Sequence, residues 1–167
     1  ALIAALDAVR NGGAKKQILL CAADRRETRT AYFYEMWFGD GAAALTVGCR
    51  DVIAEFQGSH SVSYDFVPHY RGARQRFDYV WEERWARDEG YSQIIPEAVG
   101  GLLDKLGVTI QDIDHLIFPC FFQKEHQKIA AKLGAVPEIV MDNLHAECGE
   151  TGVAHPLLML VAGLEKA

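Results

Sequence analysis

The side chains able to do covalent or acid–base chemistry fall in a few places. Four cysteines stand at positions 21, 49, 120 and 148. A cysteine attacks only as its thiolate, so a nucleophile needs a helix N-terminus or a nearby base to lower its pKa. Cys21 lies within the apolar run QILLCAA, a setting that favours the inert thiol, and Cys49 follows Gly48 with no partner close in sequence. Cys120 directly follows the run DHLIFP, at the carboxyl end of an expected strand, where α/β sheets place their ligands. Cys148 belongs to HAECGETGVAH, which gathers Glu147, Glu150, His145 and His155 around a glycine-containing turn at a helix start. Backbone N–H groups at such a turn suit an anion or an oxyanion. The spacing matches no common zinc pattern and no CxxC pair occurs, so no metal is expected.

Arg71, Arg74 and Arg76 lie in an aromatic-rich stretch and have two readings. They can bind the phosphates of a nucleotide-bearing thioester, or pair with Asp78, Glu82 and Glu83 on a solvated face.

These residues need elements to hold them. The chain has 167 residues, half of them hydrophobic (50%), and a formal net charge of -6. That apolar fraction excludes a disordered tail, and the acidic balance argues against nucleic acid as the partner. No apolar run approaches the roughly 18 residues of a membrane span. The opening ALIAALDAVR lacks the features of a secretory signal. Widely spaced cysteines fit reduced thiols in a cytoplasmic protein. Residues 1–10 carry helical spacing, stopped by Asn11-Gly12-Gly13. Residues 17–23 read as a strand covered on both faces, followed by a charged, solvated DRRETR. Gly39-Asp40-Gly41 leads into a second buried strand, and residues 51–59 read as a third. Residues 61–89 carry five arginines without clean periodicity and read as a functional loop. A helix is expected over 91–106, a strand over 114–119, a helix over 123–133, a short strand over 138–141 and a last helix over 151–166. Helices alternating with buried strands give an α/β layered fold.

Taken in order, these segments resemble the thiolase-fold condensing enzymes, in the branch of 3-hydroxy-3-methylglutaryl-CoA synthase and beta-ketoacyl-ACP synthase III. ALIAALDAVRNGGAKKQILLCAADRRETR is similar to the family's helix, glycine turn, strand and terminal Asp, here Asp24. EMWFGDGAAALTVG is similar to its Gly-Asp-Gly-Ala-Ala strand, and DFVPHYRGARQRFDYVWEERW to the arginine- and aromatic-rich insertion of prokaryotic hydroxymethylglutaryl-CoA synthases. VGGLLDKLGVTIQDIDHLIFP resembles the helix and strand before the catalytic histidine. KIAAKLGAVPEIVMDNLHAECGETGVAHPLLMLVAGLEKA resembles the last helices with the Gly-Asn-Thr turn.

The resemblance implies a thiolase-like fold of mixed sheets covered by helices, incomplete at both ends. Residues 1–50 would finish an N-terminal half, and 51–167 would form a C-terminal half with an insertion at about 61–90. It implies coenzyme A thioesters as substrates, no bound cofactor, a homodimer, and a possible zinc-ribbon or OB-fold partner protein. It also places the nucleophilic cysteine a few residues before Ala1, so this chain alone is expected to be inactive. Two positions depart from the family. Pro119-Cys120 stands where the catalytic histidine is expected, and Gly149-Glu150-Thr151 replaces Gly-Asn-Thr. Cys120, His126, Glu150 and His155 are then the candidates to replace the usual His and Asn. The function so implied is an acyl-CoA-dependent condensing enzyme or acyltransferase with a modified site. The alternatives are a thiolase-like carbon–carbon lyase, with Glu150 or a tyrosine as base, and a non-catalytic acyl-CoA-binding subunit.

Overall fold

A computed structural model describes residues 1–13, 16–80 and 82–166. Helix α1 (Leu2–Gly12) buries Ala5 and Val9 and packs on an antiparallel pair, β1 (Ile18–Arg25) and β2 (Asp40–Val47). The register sets Ile18 against Val47, Leu20 against Leu45, Ala22 against Ala43 and Asp24 against Gly41. Because side chains alternate across a strand, these pairs all lie on one covered face. The opposite face is open, with Leu19 66% exposed. This corrects the expectation that β1 is covered on both sides. Its continuous apolar run comes from small and aliphatic residues on a half-covered ladder, where burial alternates residue by residue.

Residues 51–59 form no strand. Their alternation leaves Val52 and Ile53 exposed, and bends replace a ladder. The arginine-rich stretch is mostly irregular but closes a two-residue ladder of β3 (His69–Tyr70) with β4 (Tyr79–Val80). The next helix begins earlier than its spacing suggests. It opens as α2 (Glu83–Trp85), widens into a π-helical stretch (Ala86–Ile94), and continues as α3 (Ile95–Leu106). A π-helix breaks the 3.6-residue period, which is why apolar spacing becomes readable only from residue 91 onward. Gly107, in the left-handed conformation, ends α3 as expected.

Segments 114–119 and 138–141 also fall short of strands. They meet in a single parallel bridge, Leu116 to Val140, with a 3₁₀ turn at Pro137–Ile139. Helix α4 (Gln123–Lys132) covers them, and Ile110, Leu116, Phe118, Cys120, Ile129 and Ala130 form the core beneath it. A short α5 (His145–Cys148) and a 3₁₀ turn (Gly152–Ala154) precede α6 (His155–Leu164), whose buried side packs on β2. The expected helix over 151–166 therefore starts four residues late.

Two glycines fix how the last turn meets β2. Phe38 bridges Glu150 in parallel, with the Gly39 amide donating to the Glu150 carbonyl at 3.0 Å. A Cβ on Gly39 would stand 1.9 Å from the Cys148 carbonyl oxygen, and one on Gly41 would stand 2.6 Å from Thr151 Cβ. Backbone cannot yield as a side-chain tip does. Gly39→Ala is expected to destabilise by about 1–3 kcal/mol, the usual cost of overpacking. Thermal unfolding checks this, and an unchanged midpoint would show that the two segments do not approach so closely.

Candidate functional site

Arg26 is the organising residue of the site, although DRRETR reads as solvated in sequence. It stands just past β1, which carries its side chain inward, and it is 8% exposed. Its Nε donates to Asp78 at 2.5 Å, its Nη1 pairs with Glu150, and its guanidinium lies 4.0 Å over the Phe38 ring. Neutralising a buried guanidinium needs close carboxylates, and the chain supplies them from two distant segments. Around this centre, Arg71 reaches Asp24 at 3.2 Å and Asp78 at 3.3 Å. Burial alone would raise the Asp24 carboxyl, but amides of Val153 and Arg25 together with Arg71 hold it below its usual value.

Glu150 is held twice. Besides Arg26, its Oε1 accepts from the Gly152 amide at 3.0 Å. Next to it, Thr151 and His155 are both fully buried. His155 Nε2 lies 2.7 Å from the Asn143 carbonyl, which can only accept, so that nitrogen carries the ring proton. Nδ1 is then free to accept from the Thr151 hydroxyl at 3.1 Å. Asn143 Nδ2 in turn donates to the Cys120 carbonyl at 3.3 Å. The chain of contacts from Cys120 through Asn143, His155 and Thr151 ties the carboxyl end of segment 114–119 to the turn that bears Glu150.

The histidines and Cys120 share this neighbourhood. Cys120 is wholly buried, with its thiol directed at the Phe122 carbonyl (3.4 Å). Burial pushes its pKa up to about 11, despite the Phe122 contact, so it is a protonated thiol. His126 faces inward from α4, not toward solvent, with its ring 4.4 Å from Phe118. His145, which the sequence did not single out alone, stands 5.0 Å from the His155 ring and 6.0 Å from Phe121. The Nε2 atoms of His126 and His145 are buried and have no hydrogen-bond partner among the described residues. Burial, then the neighbouring His155 and His126, lowers the His145 pKa to about 4. Among the described residues, no group of three His, Cys, Asp or Glu side chains could hold a metal ion.

The three arginines are dispersed. Arg71 is spent on Asp24 and Asp78, Arg76 pairs with Glu27 at 2.7 Å, and Arg74 is exposed beside the β3–β4 turn. Beside Arg26 and Glu150 opens a cavity of about 260 Å³, walled by aromatic rings and by the π-helical stretch. Tyr91 lines it, and burial raises its phenol well above the ordinary value, so it stays protonated. Sequence reading missed Arg26, Tyr91 and Asn143, and named Asp78 only as a partner for the three arginines, a pairing Arg71 makes at 3.3 Å. For Arg26 there was one signal: Glu150 is a carboxylate among apolar neighbours and must find a cation.

No model of a protein family matches the chain. The hydroxymethylglutaryl-CoA synthase of Pyrococcus horikoshii is 31% identical over 121 residues, which are 71% of this chain and 34% of that protein. A crystal structure of HMG-CoA synthase complexed with CoA matches 98% of the chain and 45% of its own, with TM-score 0.82 and 18% identity. The 3-oxoacyl-(acyl carrier protein) synthase III of Pseudomonas aeruginosa PAO1 matches 95% of the chain and 52% of its own, with TM-score 0.67 and 24% identity. The chain spans about a third of the length of the curated relatives it matches. It has the thiolase-like α/β fold, and its likeness is to condensing enzymes of the HMG-CoA synthase and synthase III branch.

Two measurements test the site. Alkylation at neutral pH is expected to label the exposed Cys21 and Cys49 and to reach the buried Cys120 only after unfolding, as read by mass spectrometry. Labelling of native Cys120 at the rate of Cys21 would contradict its burial. For His145, the folded value of about 4 lies below the ordinary 6.5, so the unfolded chain binds the extra proton between them. Its contribution is complete above pH 6.5 and is lost as pH falls toward 4. The acid loss in unfolding midpoint is expected to be smaller in His145→Gln, and imidazole NMR showing His145 titrating near 6.5 would remove the cause.

Proposed function

We propose that the protein to which this chain belongs is an acyl-CoA-dependent condensing enzyme or acyltransferase resembling 3-hydroxy-3-methylglutaryl-CoA synthase, with an altered set of reacting groups. The observation that carries the reading is the clamp joining Cys120, Asn143, His155 and Thr151. It brings together the two places where the resemblance expects catalytic residues, next to an open cavity.

Glu150 is the general base in this reading. A carboxylate stabilised by Arg26 would repel a developing oxyanion, but it can take the proton from the carbon next to a thioester carbonyl. The resulting carbanion attacks the carbonyl of an acyl group carried as a thioester, and a carbon–carbon bond forms. As the tetrahedral intermediate collapses, the carbon–sulfur bond breaks and the thiolate leaves as a thiol with the proton that Glu150 took. Tyr91, protonated and in the same cavity, donates to the carbonyl oxygen as its charge grows. Arg26 is a positioning residue that aims Glu150. Cys120 serves as a buried packing group beside the base, and His126 and His155 act through the clamp and the core around it. Coenzyme A thioesters are the proposed substrates, with the exposed Arg74 and Arg76 nearest to a role with their phosphates. A homodimer in the cytoplasm is the proposed setting. Among the described residues no helix is long and apolar enough to cross a membrane.

The test uses the full-length protein with acetyl-CoA. Mass spectrometry is expected to find an acetylated cysteine, and Glu150→Gln is expected to lower condensation about a hundredfold or more while the acetyl adduct still forms. An absent adduct sinks covalent acyl transfer, and full activity in the variant removes Glu150 from the mechanism.

A further inference from the structure

The cavity beside Glu150 carries information about the acyl group. Its wall is made of Tyr34, Phe38, Phe66, Tyr91, Phe121 and Phe122. The rings are ordered against one another. Tyr34 stacks on Phe38 at 5.4 Å between centroids, meets Phe121 edge-on at 5.3 Å, and Tyr91 meets Phe122 at 90°. Such surfaces favour a further ring, by offset stacking or edge contact. The π-helical stretch that carries Tyr91 also lines the cavity with Ala86 and Gly90, whose small size takes up little of the space. Gly90 also seats the Phe66 ring, since a Cβ there would stand 2.8 Å from it. An apolar cavity of roughly 150 Å³ suffices to hold benzene. About 260 Å³ therefore holds a ring with a short carbon linker.

The charges in the wall set what the cavity refuses. Its cation, Arg26, is already committed to Asp78, Glu150 and the face of Phe38. Besides the tyrosines, the remaining ionisable groups lining it are the carboxylates Glu150 and Glu83 and the imidazole of His69, which burial holds toward its neutral form. A ligand ending in its own carboxylate would lose hydration without gaining a counter-ion, and would face like charge.

We infer that this cavity is the subsite for an uncharged aromatic acyl group, and that it discriminates against acyl groups ending in a carboxylate. The inference rests on the acyl-thioester reading above and supplies its substrate class. In that role Ala86 and Gly90 set the depth of the pocket, and the aromatic wall sets its preference.

Equilibrium binding to the full-length protein tests it, using N-acetylcysteamine thioesters of 3-phenylpropanoate, acetate and glutarate, with 3-phenylpropanol as a probe lacking the thioester. The phenylpropanoyl compound is expected to bind about tenfold or more tightly than either other thioester, the scale of selectivity a hydrophobic pocket provides. Ala86→Phe is expected to remove that preference, with circular dichroism checking the fold. Glutaryl or acetyl binding as tight as phenylpropanoyl in the unaltered protein overturns the subsite, whatever the variant does. If phenylpropanol binds and Ala86→Phe abolishes this, but no thioester reacts, the subsite stands and the condensing-enzyme reading falls. Turnover of thioesters without aromatic preference has the opposite meaning.

Discussion

Arg26 joins three parts of the chain that are far apart in sequence: the end of β1, the arginine-rich stretch at Asp78, and the turn at Glu150. A guanidinium removed from water needs its charge and its donors answered, and here both carboxylates and an aromatic face answer them. Removing one partner of such a buried pair costs about 3–5 kcal/mol, because the other charge stays behind unpaired. The position of Glu150 is therefore a property of the whole arrangement. Without Asp78, Arg26 would be under-neutralised, and without Arg26 the two acids would repel one another.

The clamp through Asn143 and His155 answers a different need. Backbone at the end of segment 114–119 is not absorbed into a sheet, since only Leu116 bridges Val140. Side chains do the work that a ladder would do elsewhere, and the Cys120 carbonyl finds its donor in Asn143. Gly39 and Gly41 then let β2 close on the turn at the distance the Arg26 pair requires. Among the described residues, two imidazole nitrogens in the same region, at His126 and His145, have no hydrogen-bond partner, and neutral rings are the tolerable form there.

Much of the fold was legible because helices announce themselves by period. The helices expected over residues 1–10, 91–106 and 123–133 carry apolar spacing and polar or glycine stops, and they stand as Leu2–Gly12, the end of the π-helical stretch with Ile95–Leu106, and Gln123–Lys132. The Gly-Asp-Gly start of β2 was legible as a strand entry, though its reason, close passage beside residues 148–151, is a tertiary fact. Strands were over-read. DVIAEFQGS and DHLIFP have the right residue types, but a strand is made by its neighbour, and pairing is not written in local composition. The site divides along the same line. Glu150 and Cys120 stood out because their types broke an expected pattern. Arg26 looked like one charge among many, and its burial depends on an acid fifty-two positions away.

The π-helical stretch has one more implication. Holding a residue more per turn than an α-helix, it stores a shift in register between Glu83 and Ile95. Deleting one residue there would let the segment relax to α geometry, removing the extra residue while the helical turns on either side keep nearly the same phase. In a lineage of related chains, the shape of this wall can thus be rewritten by length as readily as by substitution, with the hydrophobic face of α3 left intact.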